Sequence, residues 1–428
     1  MNALTNALTN DCIVLGEDYL SLEAALLHLK QHIKPVVEMA DISLLDIDRH
    51  ILAKDIKAKL AHPAFDNAAV DGYGVCLHDD AENLRFNVVG TAKAGHPFLQ
   101  PLKTGEAIKI FTGAPIPPNC HSVYMVEDVK MDEAKAQVIC PALLPAHANI
   151  RKKGEDVDKG ETILQSGLRL NPADCGLAAA QGMESLPCYR PLKVGVFSTG
   201  DEIIAAGGKL QAGQIFDSNR AMLINWCRRL GALVDDLGIL ADDKQMIEST
   251  LDHAASHYDM LVSSGGMSMG DEDHVRNAIE RIGALNFWRL AIKPGRPIGV
   301  GLVQKQNHSC LLLGLPGNVV ASFVTFAFIG RFALLRLSGA NPPIMPPSFS
   351  VRLGKDIRKK AGRLELIRVT LSAQDGYDTA CAMPYPKEGS GILTSVANTD
   401  GLCLLASDRR EFGEGDKVPF IPFHAFYC

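Results

Sequence analysis

The sequence has no C-x-x-C pair among its eleven cysteines, which are scattered from Cys12 to Cys428, mostly beside apolar residues. Zinc and iron–sulfur sites need clustered ligands, so neither kind of site is predicted. The cysteines are instead typical of reduced, buried thiols in a cytosolic protein. The sequence also lacks a Walker A loop and the set of protein-kinase motifs, which argues against those two classes of phosphate-transferring enzyme.

Basic charge and long apolar runs are scarce as well. The chain has 43 Lys and Arg against 49 Asp and Glu, so no broad nucleic-acid-binding face is predicted. The most apolar stretch runs from Val319 to Gly330, ends at Arg331 and is too short to span a bilayer, so we interpret it as a buried helix. The N-terminus has no signal-peptide pattern. We therefore expect a cytoplasmic protein with neither a nucleic-acid nor a membrane partner.

What is present indicates several folded domains. The 428 residues are 47% hydrophobic and 21% charged, an ordinary globular balance. A helical period predicts a helix over residues 21–33 with Ser21 as its N-cap, and a second helix over residues 41–56. Short β-type runs between Phe86 and Ile139, separated by Gly and Pro, predict a small β domain. Asn171 and Pro172 then begin another predicted helix.

From residue 191 to residue 339, apolar runs alternate with helical segments, which predicts an open, mostly parallel α/β sheet. In such sheets ligands bind beyond the carboxyl ends of the strands. The proline-rich segment N-P-P-I-M-P-P begins at residue 341, and the short β-type runs after it predict a small C-terminal β domain. The fold class is therefore α/β and multidomain.

Three loops rich in glycine and hydroxyl groups follow predicted strands of this α/β region. They are Ser198-Thr199-Gly200-Asp201-Glu202, Ser263-Ser264-Gly265-Gly266 and Gly314-Leu315-Pro316-Gly317-Asn318. Backbone N–H groups and helix N-termini at such loops bind phosphate. One loop alone would be weak evidence, but three at the same edge of one sheet predict an anion-binding cleft.

Charged residues accompany these loops. The acidic ones are Asp201, Glu202, Asp217, Asp242, Asp243, Asp271, Glu272 and Asp273. Such carboxylates either cap helices or hold Mg²⁺ together with phosphate oxygens. Arg289, Lys293 and Arg296 follow in W-R-L-A-I-K-P-G-R-P and are either solvated surface residues or cations for an anionic ligand. Their apolar neighbours favour the second interpretation, because buried cations need anionic partners.

An ordered series of motifs resembles the molybdopterin molybdenumtransferase family, which includes bacterial MoeA and the E domains of plant Cnx1 and gephyrin. Besides the three loops, the motifs are Asp66-Asn67-Ala68-Ala69-Val70-Asp71-Gly72-Tyr73, Thr112-Gly113-Ala114-Pro115, Gly154-Glu155-Asp156, Asp217-Ser218-Asn219-Arg220, Ala291-Ile292-Lys293-Pro294-Gly295, Gly362-Arg363-Leu364 and Gly389-Ser390-Gly391. The resemblance covers nearly the whole chain, which makes it more specific than any single motif.

This resemblance implies a subunit of four parts. They are a discontinuous helical N-terminal region (1–60 and 150–190), a small β domain (61–149), a central molybdopterin-binding α/β domain (191–340) and a C-terminal β-barrel-like domain (341–428). It also implies a homodimer whose active site lies where the α/β domain of one subunit meets the β domain of the other. The implied reaction is insertion of molybdate into adenylated molybdopterin with release of AMP, assisted by Mg²⁺. Other molybdenum cofactor assembly proteins and molybdoenzymes are further expected partners.

The resemblance assigns roles to residues that match the family's motifs. The implied catalytic residues are Asp71, Thr112, Asp156, Glu202 and Lys293. The implied cofactor-binding residues are Ser198, Thr199, Gly200, Ser263, Gly265, Gly266, Arg289, Pro316, Gly317, Asn318, Arg368 and Ser390. The implied Mg²⁺ ligands are Glu202, Asp242 and Asp273. These types of side chain suit the chemistry, because carboxylates hold Mg²⁺ or position water and cations neutralise molybdate and pyrophosphate.

Two other hypotheses remain open from the sequence. One is the preceding reaction, adenylation of molybdopterin, which usually belongs to a smaller, single-domain relative. The other is a non-catalytic pterin-binding scaffold. The extra domains argue against the first, and the presence of the acidic loop residues argues against the second.

Overall fold

The computed structural model describes residues 19–77, 84–241, 243–266, 274–305, 308–373 and 380–427. The chain forms two compact units. The first unit comprises Met1–Lys54, Ser166–Asn171 and Leu186–Cys428. The second unit comprises Asp55–Gln165 and Pro172–Ser185.

The helices of the described residues are numbered here in chain order. They are α1 Leu22–His32, α2 Pro172–Ala180, α3 Asn219–Arg229, α4 Lys244–Ala254, α5 His274–Ile282, α6 Val319–Leu337 and α7 Thr394–Ala397. Short 3-10 turns cover Val126–Asp128, Glu133–Lys135 and Phe423–Phe426. Helix α1 begins as predicted, since the Oγ of Ser21 accepts a hydrogen bond from the N–H of Ala24 at 3.1 Å.

The strands fall into three groups along the chain. The first group is β1 Met39–Ser43, β2 Ile56–Lys57, β3 Asn67–Ala68, β4 Gly72–Val75, β5 Arg85–Ala92, β6 Glu106–Ile110, β7 Ser122–Met125, β8 Lys130–Asp132, β9 Gln137–Ile139, β10 Ile150–Arg151, β11 Thr162–Leu164 and β12 Ser185–Tyr189. The second is β13 Lys193–Thr199, β14 Ile203–Ile204, β15 Ile215–Phe216, β16 Leu233–Leu240, β17 Met260–Ser264, β18 Ala284–Arg289, β19 Ile292–Lys293, β20 Pro297–Gln304 and β21 Ser309–Leu315. The third is β22 Phe349–Leu353, β23 Ile357–Arg358, β24 Leu364–Ser372, β25 Cys381–Pro384, β26 Gly401–Leu405, β27 Glu411–Phe412 and β28 Lys417–Pro422.

A six-stranded sheet in the order β16-β13-β17-β21-β20-β18 organises the α/β part of the first unit. The first four strands are mutually parallel, while β20 and β18 run antiparallel to their neighbours. Both faces are covered, since Val196 packs in one hydrophobic cluster and the next residue, Phe197, in another. The predicted open, mostly parallel sheet is therefore confirmed. Its two antiparallel pairings, β21 with β20 and β20 with β18, were not predicted.

A closed β-barrel follows in the same unit. Strands β24, β25, β22, β28 and β26 pair in that order, and an additional pairing of β26 with β24 closes the barrel. Closure leaves these strands without a free edge around the barrel, and its centre is filled by buried residues such as Val351, Leu353, Val369 and Phe420. The predicted barrel-like C-terminal domain is confirmed. Strand β19, which contains Lys293, joins β24 in parallel.

The second unit is built around a six-stranded sheet in the order β7-β4-β6-β5-β9-β8. Only the β5–β6 pairing is parallel, while the remaining pairs are antiparallel. The β-type runs of the sequence thus form a small β domain, as predicted. Helix α2 belongs to this unit and begins at Pro172, where a missing N–H costs no hydrogen bond.

The second predicted N-terminal helix is wrong. Residues 41–56 contain the end of β1, turns, isolated bridges and the first residue of β2, with no helix among them. Arg49 has a φ of 65°, which a right-handed helix does not allow. Ile51 and Leu52 are buried and bridge to Arg169 and Cys188, respectively. Tertiary β-type pairing has therefore overridden a local apolar spacing that also fits a helix.

Helix α6 is the buried helix expected from the apolar run, although it is longer than predicted. It is α-helical over Val319–Thr325 and Arg331–Leu337, with a π-turn over Phe326–Gly330 between them. The helix does not end at Arg331 but continues to Leu337. Arg331 itself is buried, with 6% of the residue exposed. By length and composition it is the one helix in the described ranges that could cross a membrane, but it is mostly buried inside the protein.

Candidate active site

The three predicted loops lie side by side at the carboxyl edge of the α/β sheet. Strands β13, β17 and β21 are neighbours and parallel, so Ser198 lies opposite Ser264, which in turn lies opposite Leu315. The N–H of Gly265 donates to the carbonyl of Leu315 at 3.2 Å and links two of the loops. The strand order therefore brings together the glycine and hydroxyl groups that the sequence analysis assigned to anion binding.

The Gly265–Gly266 turn needs glycine because it passes close to the first loop. Both residues have positive φ values, 88° and 68°. A Cβ on Gly265 would lie 2.9 Å from the carbonyl oxygen of Thr199, and one on Gly266 would lie 2.8 Å from the Oγ1 of Thr199. A larger residue at either position would displace the turn. Ser263 supports the turn from below, since its buried Oγ donates to the carbonyl of Gly265 at 3.1 Å.

Asn219 holds two of the loops together, a role that the sequence analysis missed. Its Nδ2 donates to the Oγ of Ser264 at 2.8 Å and to the carbonyl of Gly317 at 2.7 Å. The residue is only 7% exposed. Ser218 occupies the N-cap position of α3 and makes no side-chain cap bond, so Asn219 is the first residue of the helix. The motif Asp217-Ser218-Asn219-Arg220 points to Asn219 in the sequence. It does not show what Asn219 binds, because Ser264 and Gly317 are distant along the chain.

The loops form one wall of a cleft of about 1180 Å³, and the barrel forms the other. This volume lies just above the usual range of small-molecule sites, about 300–1,000 Å³. Charged residues are abundant in its lining: Glu202, Lys293, Arg296, Lys355, Asp356, Arg358, Glu365, Arg368, Lys387 and Glu388. Six of these ten are basic, so the cleft attracts anions although the chain is acidic overall.

Lys293 and Arg368 both line this cleft, but in different environments. The side chain of Lys293 is half exposed, and its Nζ lies 2.7 Å from the Oε1 of Glu365. Arg368 is 9% exposed, and burial lowers the pKa of its guanidinium, which stays cationic at neutral pH. Its Nε donates to the Oγ of Ser395 at 3.1 Å and its Nη2 to the carbonyl of Gly389 at 3.3 Å. Arg368 therefore supports the 389–391 loop as well as contributing charge.

That loop is attached to the start of helix α6. The N–H of Val320 donates to the carbonyl of Ser390 at 2.8 Å, and Asn318 is the N-cap residue of the helix. Pro316, Gly317, Asn318 and Ser390 all line the cleft. The N-terminus of a 19-residue helix thus opens into it, where the partial positive charge of the helix dipole favours an anion.

Nine of the twelve predicted cofactor-binding residues line the cleft; the buried Ser198 and Ser263 do not, and neither does Arg289. It ends strand β18, and its carbonyl accepts a hydrogen bond from the N–H of Leu20 at 2.9 Å. Arg296 lines the cleft, and its guanidinium lies 4.7 Å from the ring centroid of Tyr19. The sequence indicates Arg296 only as one of three neighbouring basic residues and gives it no role in the site.

The second unit places Asp71 and Thr112 together. The Oδ1 of Asp71 accepts hydrogen bonds from the Oγ1 of Thr112 at 2.6 Å and from its backbone N–H at 2.8 Å. These two donors hold the pKa of the Asp71 carboxyl below its usual value, the hydroxyl being the larger cause. Asp71 is fully exposed to solvent within this unit. It is therefore a fixed, ionised carboxylate at neutral pH.

Asp156 belongs to an exposed loop of the same unit. Its N–H donates to the carbonyl of His62 at 3.0 Å. The preceding residues are fastened by Asp66, whose carboxylate accepts from the Nζ of Lys152 at 2.9 Å and from the N–H of Lys153 at 2.8 Å. This clamp joins the segment that leads to Asp71 to the segment that leads to Asp156. Asp66 was part of a motif but was not predicted as a site residue.

Of the three predicted Mg²⁺ ligands, Glu202 lies in the described part of the chain, whereas Asp242 and Asp273 lie outside it. Glu202 is exposed, follows β13 and lines the cleft beside Gly200. Among the described residues there is no cluster of three or more His, Cys, Asp or Glu side chains that could hold a metal ion. Asp243 caps α4, since its Oδ1 accepts from the N–H of Met246 at 2.8 Å.

Three family models match successive parts of the chain: the MoeA N-terminal region (domain I and II) over residues 20–182, a probable molybdopterin binding domain over 195–336, and the MoeA C-terminal region (domain IV) over 350–423. Molybdopterin molybdenumtransferase of Haemophilus influenzae is 34% identical over 90% of this chain and 93% of that protein. The enzyme of the same name from Synechococcus elongatus is 35% identical over 88% and 93%.

The fold agrees with these matches. The crystal structure of the molybdopterin biosynthesis MoeA protein from Pyrococcus horikoshii OT3 superimposes with a TM-score of 0.78 at 27% identity, covering 94% of this chain and 99% of that one. Sequence and structure thus agree over almost the full length of both proteins. The chain therefore belongs to the molybdopterin molybdenumtransferase (MoeA) family.

Proposed function

We propose that this protein inserts molybdate into adenylated molybdopterin, cleaving the phosphoanhydride, releasing AMP and leaving the metal on the dithiolene sulfurs. The observation that supports this most directly is the cleft of the first unit. It combines three phosphate-type loops at one sheet edge with two cations on the opposite side, Lys293 and Arg368. A pterin bearing a pyrophosphate bridge needs the first feature, and a tetrahedral dianion needs the second.

The loops and the start of α6 bind the phosphate groups in this proposal. Thr199, Gly200, Gly265, Gly266 and Gly317 line the cleft where backbone N–H groups and small side chains allow close approach. Backbone N–H groups and the helix N-terminus stabilise the negative charge on the phosphate oxygens of the substrate. The pterin and adenosine ends then extend along the cleft, whose volume exceeds that of most small-molecule sites.

Lys293 and Arg368 form the molybdate subsite with Ser390. Molybdate must approach a substrate that already carries phosphates, and like charges repel strongly in a cleft with low-dielectric walls. Fixed cations at the approach offset this repulsion. Arg368 is held by Ser395 and Gly389, so its remaining donors are preorganised for an oxyanion.

Glu202 fits the proposed Mg²⁺ site. Mg²⁺ is usually held by one or two carboxylates together with phosphate oxygens, so one cleft carboxylate beside the loops suffices to begin such a site. When bound, the ion would neutralise charge on the phosphoanhydride during its cleavage. Asp242 and Asp273 remain predicted companions of Glu202.

We further propose that the chain acts as a homodimer and that its division into four parts follows the family pattern. Asp71, Thr112 and Asp156 are then the catalytic groups that one subunit offers to substrate bound in the cleft of its partner. The fixed, ionised state of Asp71 supports this role, because a catalytic carboxylate must be oriented and unprotonated to position water.

The test of this function is AMP release from adenylated molybdopterin as molybdate is varied. Lys293→Ala should raise the molybdate concentration for half-maximal turnover at least about tenfold, the scale of a lost charge-assisted contact of about 1.5–3 kcal/mol. Lys417→Ala, which removes an exposed lysine from a barrel strand outside the cleft lining, is the matched control.

Other results would overturn the proposal. Release of pyrophosphate from ATP by the wild type would indicate the adenylation reaction instead. An unchanged molybdate dependence of Lys293→Ala, together with a lowered melting temperature, would mean that Lys293 merely pairs with Glu365 and would remove it from the site.

A further inference from the structure

The ion pair between Lys293 and Glu365 is built into the backbone pairing. Strand β19 runs parallel to β24, and the register places Lys293 directly opposite Glu365. The Nζ–Oε1 distance is 2.7 Å. The two residues are therefore held side by side by main-chain pairing, and the contact does not depend on a chance encounter of two flexible side chains.

Glu365 differs from the other acidic residues of the cleft. Glu202, Asp356 and Glu388 are exposed, whereas only 16% of the Glu365 side chain is accessible to solvent. Its partner is 52% exposed. The carboxylate is thus the more buried member of the pair, and both residues line the cleft.

The charge of Glu365 also acts on other cations. Burial lowers the pKa of Arg368 and of Lys359. The negative charge of Glu388, followed by that of Glu365, opposes this effect at Arg368, and Glu365 is the first opposing charge at Lys359. Lys359 is repelled in turn by Lys293. One sheltered carboxylate therefore pairs with Lys293 and also acts electrostatically on Arg368, which lines the cleft, and on Lys359, which does not.

We propose that Glu365 is a built-in counter-ion that occupies the place on Lys293 that a tetrahedral dianion takes, and that it thereby sets the anion affinity of the cleft. This inference rests on the proposed function in one respect, the assignment of Lys293 to the oxyanion subsite. Glu365 is a specificity-determining residue in this proposal and is not a catalytic one.

A tethered carboxylate competes with free anions at a high effective concentration, and it repels a dianion that comes within a few ångströms. Sulfate and phosphate, which share the shape and charge of molybdate, then bind weakly to the empty cleft. Molybdate alone also binds weakly, until the dithiolene sulfurs of bound pterin form bonds to the metal. Glu365 thus makes retention of the oxyanion depend on the second substrate.

Glu365→Gln tests the charge of residue 365 while leaving its place in the strand unchanged. The glutamine Oε1 still accepts a hydrogen bond from Lys293, while the negative charge is lost. We expect sulfate and molybdate, each titrated alone into the full-length protein at constant ionic strength, to bind about tenfold more tightly or better to this variant, as removal of one nearby like charge predicts. The gain should be similar for both anions, because they have the same charge.

Two controls make the titration specific. Asp356→Asn removes an exposed carboxylate from the same cleft, where solvent and salt screen its charge, so its effect should stay below about twofold. In a Lys293→Met background, Glu365→Gln should give almost no gain, because the site that the carboxylate blocks no longer exists. Melting curves check that each variant is folded, and Glu365→Ser is the second variant if the glutamine is poorly tolerated.

The results distinguish this inference from the proposed function. Weaker anion binding by folded Glu365→Gln or Glu365→Ser would mean that the carboxylate orients Lys293 for the anion, and it would overturn the inference. Unchanged binding, or an equal gain without Lys293, would also overturn it. Neither titration uses the pterin, so a failure to observe AMP release would count against the proposed function alone.

Discussion

The side-chain amide of Asn219 lies 2.8 Å from the Oγ of Ser264, a residue 45 positions further along the chain, and its second N–H reaches the carbonyl of Gly317 at 2.7 Å. One side chain at the start of α3 thus connects the loops after β17 and β21. In the proposed phosphate site the loops must keep fixed positions relative to one another, because N–H donors stabilise an anion only when they converge on it.

Asn219→Ala should therefore weaken both the fold and ligand binding. The loss of two buried donors should cost about 1–3 kcal/mol of unfolding free energy, measured by urea denaturation, since a buried acceptor loses its partner. AMP affinity, measured by calorimetry, should fall as well. Asn225→Ala is the control, because Asn225 is exposed on the same helix and donates only to the carbonyl of Ala221. Equal effects of the two changes would contradict a role for Asn219 in loop positioning.

Thr112→Val should raise the pKa of Asp71. The variant loses the hydroxyl donor, the larger cause of the lowered value, but keeps the backbone N–H. A carboxyl whose folded pKa is lowered contributes stability above its ordinary pKa, and that contribution is lost as pH falls through the lowered value. The variant carboxyl should therefore protonate at a higher pH, which a carbon NMR titration of Asp71 measures. Thr112→Ser retains the hydroxyl and should titrate like the wild type.

Glu202→Gln should change the Mg²⁺ requirement more than it changes the fold. If Glu202 binds the ion, the Mg²⁺ concentration for half-maximal AMP release should rise about tenfold or more, the usual scale for weakening a metal site. The melting temperature should change little, because exposed substitutions usually cost within about 0.5 kcal/mol. Asp201→Asn alters the exposed neighbour, which does not line the cleft. The same Mg²⁺ response in both variants would remove Glu202 from the metal site.

The proposed homodimer should have twice the chain mass of 46.1 kDa by light scattering. Coexpression of Asp71→Asn and Lys293→Met chains tests whether subunits share sites. Each variant alone should be nearly inactive, whereas a purified mixed dimer should regain about half of wild-type activity, because one of its two sites receives intact groups from both chains. If the mixed dimer stays inactive, Asp71 and Lys293 belong to the same subunit's site. If a monomer is active, no site is shared between subunits.

Prediction and structure agree best for features that depend on residues close together in sequence, such as strands, helices and helix caps. Alternation of apolar strands with helices implied parallel neighbours, and parallel strands place their carboxyl ends at one edge. The loops at Ser198, Ser264 and Gly317 accordingly lie together. Ser21 and Asp243 cap helices because a cap needs only a polar side chain three residues before its donor.

Prediction failed where two conformations suit the same local pattern. Residues 41–56 have a spacing compatible with a helix, but Ile51 and Leu52 pair with segments more than a hundred residues away. The free energy of those pairings exceeds the weak helical preference, which is only tenths of a kcal/mol per residue. No local rule contains that information.

The sequence by itself determined the alternating α/β segment, the barrel strands and the glycine loops, because these follow from periodicity and from residues with special backbone freedom. The tertiary structure decided which charges meet. Lys293 contacts Glu365 because a two-residue strand joins the barrel, and Asn219 reaches two loops because α3 begins beneath them. Such contacts join residues 45 to 98 positions apart, so they exist only after the chain has folded.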